Sequence, residues 1–276
     1  MDKMRRKRLT ERFPFLLPLR KLQRKIFFYL KMKLDSNDYA REKSDEPLAY
    51  KIFTASSRMI NPNSGFDLEY QINKVHNLKL VAKTMDGIII RPNEVFSFWM
   101  LAREAEKYGE YKEGLTLVND KTIPLKGGGL CQISNLLFWL FLHTPLSIIE
   151  RHPHSSETIP RQGEIPPGVD ATISEGWKDL KVKNETQNSY QIIFEFDDEF
   201  IHGSIYSDKA TDVSYALVSE NLMYAKEEDG LFRYNEIYRI ERDKMSQLLL
   251  KKELLFKNRT EIKYQISEEI IERRAI

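Results

Sequence analysis

Lys126-Gly127-Gly128-Gly129-Leu130-Cys131-Gln132-Ile133-Ser134-Asn135-Leu136-Leu137-Phe138-Trp139-Leu140-Phe141-Leu142-His143 is the stretch whose reading decides the fold. Three consecutive glycines run into the one cysteine of the chain. Glycine tolerates positive φ and close backbone approach, so the run predicts a tight turn onto a helix N-terminus. The residues after it have helical character until Thr144-Pro145 stops them. Cys131 then falls in the first turn, where unpaired N–H groups and the helix dipole favour an anion. Ile133, Leu136, Leu137 and Leu140 share one helix face; Cys131, Ser134, Asn135, Phe138 and Leu142 share the opposite one. A helix apolar nearly all round is buried on most sides. A cysteine at the glycine-flanked start of a buried helix is the layout by which papain-like and transglutaminase-like enzymes present a nucleophile. That likeness concerns layout, and function has to be argued from the site itself.

The residues downstream supply partners for such a thiol. Leu146-Ser147-Ile148-Ile149-Glu150-Arg151-His152-Pro153-His154 reads as an apolar strand ending in two histidines. A Pro- and Gly-rich loop follows, and Asp170-Ala171-Thr172-Ile173-Ser174 reads as the start of the next strand. Cys, His and Asp are the residue types needed for thiol-based acyl transfer: the imidazole manages the thiol proton and the carboxylate fixes its tautomer. The expected catalytic residues are Cys131 as nucleophile, His154 or His152 as base, and Asp170 as orienter. Backbone N–H groups of the Gly127-Gly128-Gly129 turn are expected to bind an oxyanion, with Gln132 and Ser134 as polar helpers.

Other readings of the same residues stand beside this one. A lone cysteine in a buried helix is commonly a packing residue, although packing alone does not need three glycines before it. Cys131, His152 and His154 are zinc-ligand types, but no CxxC or HExxH spacing accompanies them, so no metal or other cofactor is assigned. A glycine-rich turn that holds a carboxylate or phosphate through its N–H groups describes a non-catalytic binding protein. A Walker phosphate loop is excluded because no GK[ST] follows the glycines.

Several motifs together resemble the VanW family, found with some glycopeptide-resistance gene clusters. They are Gly127-Gly128-Gly129-Leu130-Cys131-Gln132-Ile133-Ser134 and Glu150-Arg151-His152-Pro153-His154-Ser155, preceded by Asn73-Lys74-Val75-His76-Asn77-Leu78. Asp86-Gly87-Ile88-Ile89-Ile90-Arg91-Pro92-Asn93-Glu94-Val95-Phe96-Ser97-Phe98-Trp99 and Gly114-Leu115 fit the same pattern. The similarity spans roughly residues 45–205. It implies a small peptide or cell-wall precursor, including D-amino-acid peptides, as the molecule acted upon or bound.

Composition sets the remaining bounds. With 276 residues, 41% hydrophobic and 30% charged, the chain has ample material for a core. One cysteine excludes an internal disulfide and suits a reducing compartment, and no apolar run reaches membrane-spanning length, so the expected location is cytoplasmic. The net charge of +2 hides an asymmetry: residues 1–33 hold twelve Lys and Arg against Asp2 and Glu11, a net +10, leaving −8 for residues 34–276. Phe13, Phe15, Leu16, Leu17, Leu19, Leu22, Ile26, Phe27 and Leu30 are interleaved with those cations. After Pro14 and Pro18 a basic amphipathic helix is expected from about Leu19. It either caps the body or lies on an anionic membrane surface at the inner face. Nucleic acid is not expected as a partner, because the remainder of the chain is acidic.

The expected fold class is therefore α+β: a buried central helix, begun at a Gly-rich turn, packed on an antiparallel sheet with a C-terminal β appendage. Residues 1–44 read as the basic segment and a linker, 45–208 as the α+β domain and 209–276 as a small β-rich subdomain. Within the domain, a helix from Asp67 to Asp86-Gly87 is expected, then strands over Ile88–Ile90 and Val95–Trp99. A short helix over Ala102–Lys107 and a strand over Leu115–Val118 follow. Strands over Leu180–Lys183, Tyr190–Phe196 and Phe200–Tyr206 form an expected meander, and residues 34–64 read as loops around a short segment. In the C-terminal part, separate strands are expected over Ser214–Val218 and Asn221–Ala225, with a short one at Tyr264-Gln265-Ile266.

Overall fold

The computed structural model describes residues 13–61, 65–118, 121–157, 165–267 and 271–272. The sequence reading of residues 1–12 lies outside the described residues, as does the turn expected at Asn119-Asp120. The architecture is mixed α+β with antiparallel sheets and few helices.

After a 3-10 turn at Pro14–Leu16, helix α1 spans Leu17–Leu34, with proline in its first turn where a missing N–H is harmless. Strand β1 (Tyr50–Arg58) precedes helix α2 (Leu68–Met85), which ends at Asp86-Gly87 with Gly87 at φ +75°. Next come β2 (Ile89–Ile90), β3 (Val95–Ser97) and the short helix α3 (Phe98–Ala102). The hairpin β4 (Glu113–Val118) and β5 (Lys121–Lys126) leads through the glycines into α4 (Cys131–Leu142). Strands β6 (Ser147–Glu150), β7 (Ser156–Glu157), β8 (Lys181–Lys183), β9 (Tyr190–Phe196) and β10 (Phe200–Ser207) follow. The chain finishes with β11 (Val213–Glu227), β12 (Gly230–Asp243), β13 (Leu249–Ile262) and β14 (Ile271–Glu272).

The main sheet has the order β1-β10-β9-β2, all antiparallel. Helix α4 lies across β1 and β10. It approaches closely at Gly203 of β10, where a Cβ would come within 2.8 Å of Leu140. Ile133, Leu136, Leu137, Phe138, Leu140, Phe141 and Leu142 of α4 are all buried, as the apolar wheel requires. All of these but Leu140 join Ile192, Ile201 and Ile205 of the sheet and Leu78, Val81 and Met85 of α2 in one core.

The departures from the sequence reading have local causes. The short segment expected among the loops of residues 34–64 is a nine-residue edge strand, Tyr50–Arg58. Its polar members bond across the pair, Thr54 to Ser204 at 2.9 Å and Ser56 to His202 at 2.7 Å, so its hydrophobic alternation is faint. The strand expected over Val95–Trp99 stops at Ser97, whose hydroxyl accepts from Met100 N–H and caps α3. The short helix expected at Ala102–Lys107 is a 3-10 turn over Ala105–Tyr108. Strand β5 carries Pro124 and has no counterpart in the sequence reading. The expected meander is not formed: β9 and β10 pair, but β8 lies between β3 and β6 in a second sheet. The two short strands expected at Ser214–Val218 and Asn221–Ala225 are one long strand interrupted by a shift at Glu220/Met223, with Asn221 at φ +53°. Tyr264-Gln265-Ile266 is not a strand; Tyr264 instead donates its hydroxyl to Glu157 at 2.9 Å.

The C-terminal ribbon is docked on the α4 region. β13 pairs in parallel with β7, Phe256 lies 5.9 Å from Phe138, and Arg239 donates to the carbonyl of Thr144 at 2.9 Å. At the other end, α1 buries Met32 and ties Tyr29 to Glu175 at 2.7 Å, while Lys25 pairs with the same carboxylate at 2.8 Å.

Candidate functional site

The glycine turn is held from three sides. Gly127 and Gly129 adopt φ +77° and +91°, conformations that favour glycine. At Gly128 a Cβ would meet the Gly114 carbonyl oxygen at 2.1 Å, and at Gly114 it would meet the Gly128 oxygen at 2.5 Å. The two backbones thus touch where β4 passes the turn. Asn77 of α2 donates to the Gly128 carbonyl at 3.0 Å and to the Lys112 carbonyl at 2.9 Å, and it accepts from Lys112 N–H at 2.9 Å. Gly127 N–H and Gly128 N–H are consumed by Lys112 and Leu125 carbonyls. The N–H groups of Gly129, Leu130 and Cys131 donate to no acceptor among the described residues. Three consecutive backbone donors thus stand unpaired, among the described residues, at the start of the helix that carries the sulfur.

Cys131 is the first residue of α4 and is half-buried. Its imidazole neighbour is His154. The Nδ1 of His154 hydrogen-bonds to Oδ2 of Asp170, and His154 N–H donates to the same oxygen at 2.9 Å. Burial pulls the ring's pKa down, but hydrogen bonds to Asp170 and then Cys131, and the charges of both, outweigh it and raise the value to about 9. The thiol's hold on the ring is the looser of the two: only the Asp170 contact meets hydrogen-bond geometry. At neutral pH the ring is an imidazolium between the Asp170 carboxylate and the Cys131 sulfur.

Asp170 is 1% exposed and is neutralised by Arg151, whose Nη2 reaches Oδ1 at 2.9 Å. Arg151 also donates to the carbonyls of Asp170 and Gly168, and its guanidinium lies 4.3 Å from the Phe256 ring centroid. A buried carboxylate held in this way is fully hydrogen-bonded, as burial demands. The segment bearing it is extended but is not the expected strand. Two of its backbone bonds go to α4, where Ser134 Oγ donates to the Ala171 carbonyl at 2.7 Å and Asn135 Oδ1 accepts from Ala171 N–H at 2.8 Å, and Thr172 N–H donates to the His152 carbonyl at 2.7 Å.

The residues singled out from the sequence thus divide. Cys131, His154, Asp170 and the three glycines come together. His152 does not: its Nε2 faces Glu150 at 3.1 Å. Ser134 is fully buried as a clasp on Ala171, and Gln132 reaches away to Ser57 and to the Arg58 carbonyl at 2.8 and 2.7 Å. Neither presents its polar group to the sulfur. Among the described residues no group of three or more His, Cys, Asp or Glu is arranged to hold a metal ion. Arg151, Asn135 and Asn77 were not assigned a role from the sequence. Of these only Asn135 lies on an otherwise apolar element, where a polar side chain needs a buried partner.

Fold and site together define a mixed α+β protein that gathers a thiol, an imidazole and a buried carboxylate at one helix N-terminus. The chain belongs to the VanW family. The family model described as VanW like protein matches residues 73–206. The chain is 46% identical to the "Vancomycin B-type resistance protein VanW" of Enterococcus faecalis (strain ATCC 700802 / V583) over 269 residues, covering 97% of this chain and 98% of that protein. It is also 34% identical over 113 residues to the "Uncharacterized protein YoaR" of Bacillus subtilis (strain 168), covering 41% of this chain and 36% of that protein. No solved structure matches the chain significantly.

Proposed function

We propose that the protein is a thiol hydrolase or acyl transferase acting on amide or ester bonds of cell-wall-type peptides, with a papain- or transglutaminase-like arrangement of its groups. The observation that carries this reading is the position of His154, hydrogen-bonded to buried Asp170 and drawn upward in pKa by both Asp170 and Cys131. In the proposed cycle the Cys131 thiolate attacks the carbonyl carbon. The N–H groups at Gly129–Cys131 receive the oxyanion. The His154 imidazolium gives its proton to the leaving amine or alkoxide, which leaves a thioester. Water, or a second amine, then gives up a proton to His154 and attacks the thioester; the C–S bond breaks and the thiolate–imidazolium pair is restored. Asp170, pinned by Arg151, keeps the ring in the required tautomer. The substrate class rests on the name of the enterococcal relative, a vancomycin resistance protein.

The test is the rate at which iodoacetamide alkylates Cys131 at pH 6–8, followed by intact-mass measurement. A rate well above that of free cysteine, falling in His154→Ala and unchanged in His152→Ala, is expected. An ordinary rate indifferent to His154 removes the enzyme and leaves the other reading: an accessory protein that binds such peptides without chemistry.

The second part of the proposal is location. Leu19, Leu22, Ile26, Phe27, Leu30 and Leu34 of α1 remain exposed, beside Arg20, Lys21, Arg24, Lys25, Lys31 and Lys33. The helix packs on the body through Phe28, Tyr29 and Met32. A second copy of so cationic a surface would be repelled, whereas anionic lipid satisfies both its charge and its apolar stripe. No helix among the described residues is long and apolar enough to cross a membrane, so the contact proposed is peripheral. Co-sedimentation with phosphatidylglycerol vesicles, absent with phosphatidylcholine and lost in Leu22→Asp/Ile26→Asp, is the expected result. Equal recovery with both lipids would overturn it.

A further inference from the structure

Lys74 has no role in the scheme above, and its surroundings are unusual for a lysine. It sits on α2 one turn before Asn77, on the side of the helix that meets the glycine turn. Its Cγ and Cδ lie 2.3 and 2.9 Å from where a Cβ on Gly129 would be, so the stem crosses that glycine directly. The ammonium is two bonds beyond this Cδ, and Gly129 is two residues before Cys131. Burial alone moves the amine's pKa, down to about 8; no carboxylate offsets it. Among the described residues Lys74 makes no ion pair and no side-chain hydrogen bond.

Lys74 is half-buried, and a cation drawn even partly out of water without an anion carries a desolvation cost that chains normally offset with a partner. Here the neighbouring groups have the same polarity. The free N–H groups of Gly129, Leu130 and Cys131 are donors, and His154 is an imidazolium at neutral pH. The one buried carboxylate of the site, Asp170, is committed to Arg151 and His154. Among the described residues no anion balances Lys74, and a bound molecule is the natural source of one.

We infer that Lys74 receives a carboxylate of the substrate, so that the thiol acts on a peptide whose free C-terminal carboxylate lies beside the bond attacked. This rests on the proposed thiol chemistry and narrows it: the leaving or accepting group is a terminal amino acid or hydroxy acid rather than an internal residue. Lys74 is then a specificity residue, holding the carboxylate while the N–H groups at the helix start face the oxyanion.

Two alkylating reagents that differ in charge separate the possibilities. The rates of iodoacetate, which carries a carboxylate, and iodoacetamide, which is neutral, are measured on Cys131 in the full chain at pH 7. Relative to free cysteine, iodoacetate is expected to be favoured by about tenfold, the size of one partly screened charge contact. Lys74→Met is expected to abolish that preference while changing the iodoacetamide rate by less than about twofold, and Lys74→Arg to retain it. Thermal melting of Lys74→Met at or above the parent temperature is expected, because an unbalanced cation has been removed. An iodoacetate preference unchanged in Lys74→Met overturns the assignment of Lys74 alone. If neither reagent reacts faster than with free cysteine, the thiol chemistry fails and the inference falls with it.

Discussion

One oxygen of Asp170 holds His154 at two points, accepting from its backbone N–H at 2.9 Å and from its ring Nδ1. The carboxylate's other oxygen is taken by Arg151. The ring therefore has a fixed position and a fixed tautomer, with Nδ1 carrying the proton that faces Asp170. Asp170→Asn keeps the shape and removes the charge, leaving Arg151 buried without its counter-ion. Unfolding in urea is expected to show a loss of about 3 kcal/mol. The His154 ring, followed by NMR titration, is expected to move from about 9 toward its ordinary value. A ring titration unmoved by this substitution would remove Asp170 as its orienter.

The raised pKa of His154 also predicts a pH dependence of stability. The folded value of about 9 stands above the ordinary 6.5, so the folded state binds the proton more tightly than the unfolded chain. The stability this provides is complete below about pH 6.5 and is lost as pH rises through about 9. With the ring about a quarter exposed, the contribution is on the order of 2 kcal/mol after allowing for solvent screening. The difference in unfolding free energy between the parent and His154→Gln should be largest at pH 6 and small at pH 9.5. A difference constant across that range would show that the ring contributes by packing.

Gly128 and Gly114 make a backbone crossing that no side chain can enter. Gly128→Ala places a methyl 2.1 Å from the Gly114 oxygen, an atom of the main chain that cannot rotate away. Gly114→Ala meets the Gly128 oxygen in the same way. Each substitution is expected to cost about 3 kcal/mol, measured by urea unfolding, within the range of core overpacking. Both are expected to slow Cys131 alkylation, because the turn that aims the N–H groups is displaced. Gly65→Ala is the comparison: its Cβ would meet nothing within 4 Å, and only the φ of +76° opposes it.

The α4 stretch was legible in the sequence because its signals agree. Three glycines, a nearly all-round apolar wheel and a Thr-Pro stop all describe one buried helix begun at a tight turn, and the helix runs Cys131–Leu142. The gathering of Cys131, His154 and Asp170 was foreseeable from chain order together with the required residue types. What separated His154 from His152 was not. Both flank Pro153, and the choice is made by Asp170 on a distant segment and by Glu150, which takes His152. Long-range partners of that kind leave no local period. The same holds for β1, where hydroxyl pairs with β10 replace apolar alternation, and for β8, which joins β3 and β6 instead of its neighbour in sequence. Lys74 and Asn77 belong to one heptad-like face of α2, but a half-buried lysine is not distinguishable from an exposed one until the glycine beneath it is located.

The clasp between α4 and the Asp170 segment offers the most direct test of whether helix and carboxylate act as one unit. Ser134 and Asn135 follow Cys131 by three and four residues, so they leave the same helix within one turn of the sulfur. They hold opposite groups of a single peptide-bonded residue: the Ala171 carbonyl accepts from Ser134 and the Ala171 N–H donates to Asn135. Ala171 follows Asp170 directly, so these two bonds tie the carboxylate's segment to the helix that carries the sulfur, beside the Thr172 bond to the His152 carbonyl and the Arg151 bonds. Ser134→Ala and Asn135→Ala each strand a buried backbone group and are expected to cost about 1–3 kcal/mol. Because they share one residue, their effects should not add, and a double-mutant cycle is expected to give a coupling of at least about 0.5 kcal/mol. The iodoacetamide rate at Cys131 should fall further in the double variant than stability alone explains, since Asp170 and His154 are released together. Full additivity, with alkylation unchanged, would mean that the Asp170 segment is positioned by Arg151 and does not depend on the helix that carries the thiol.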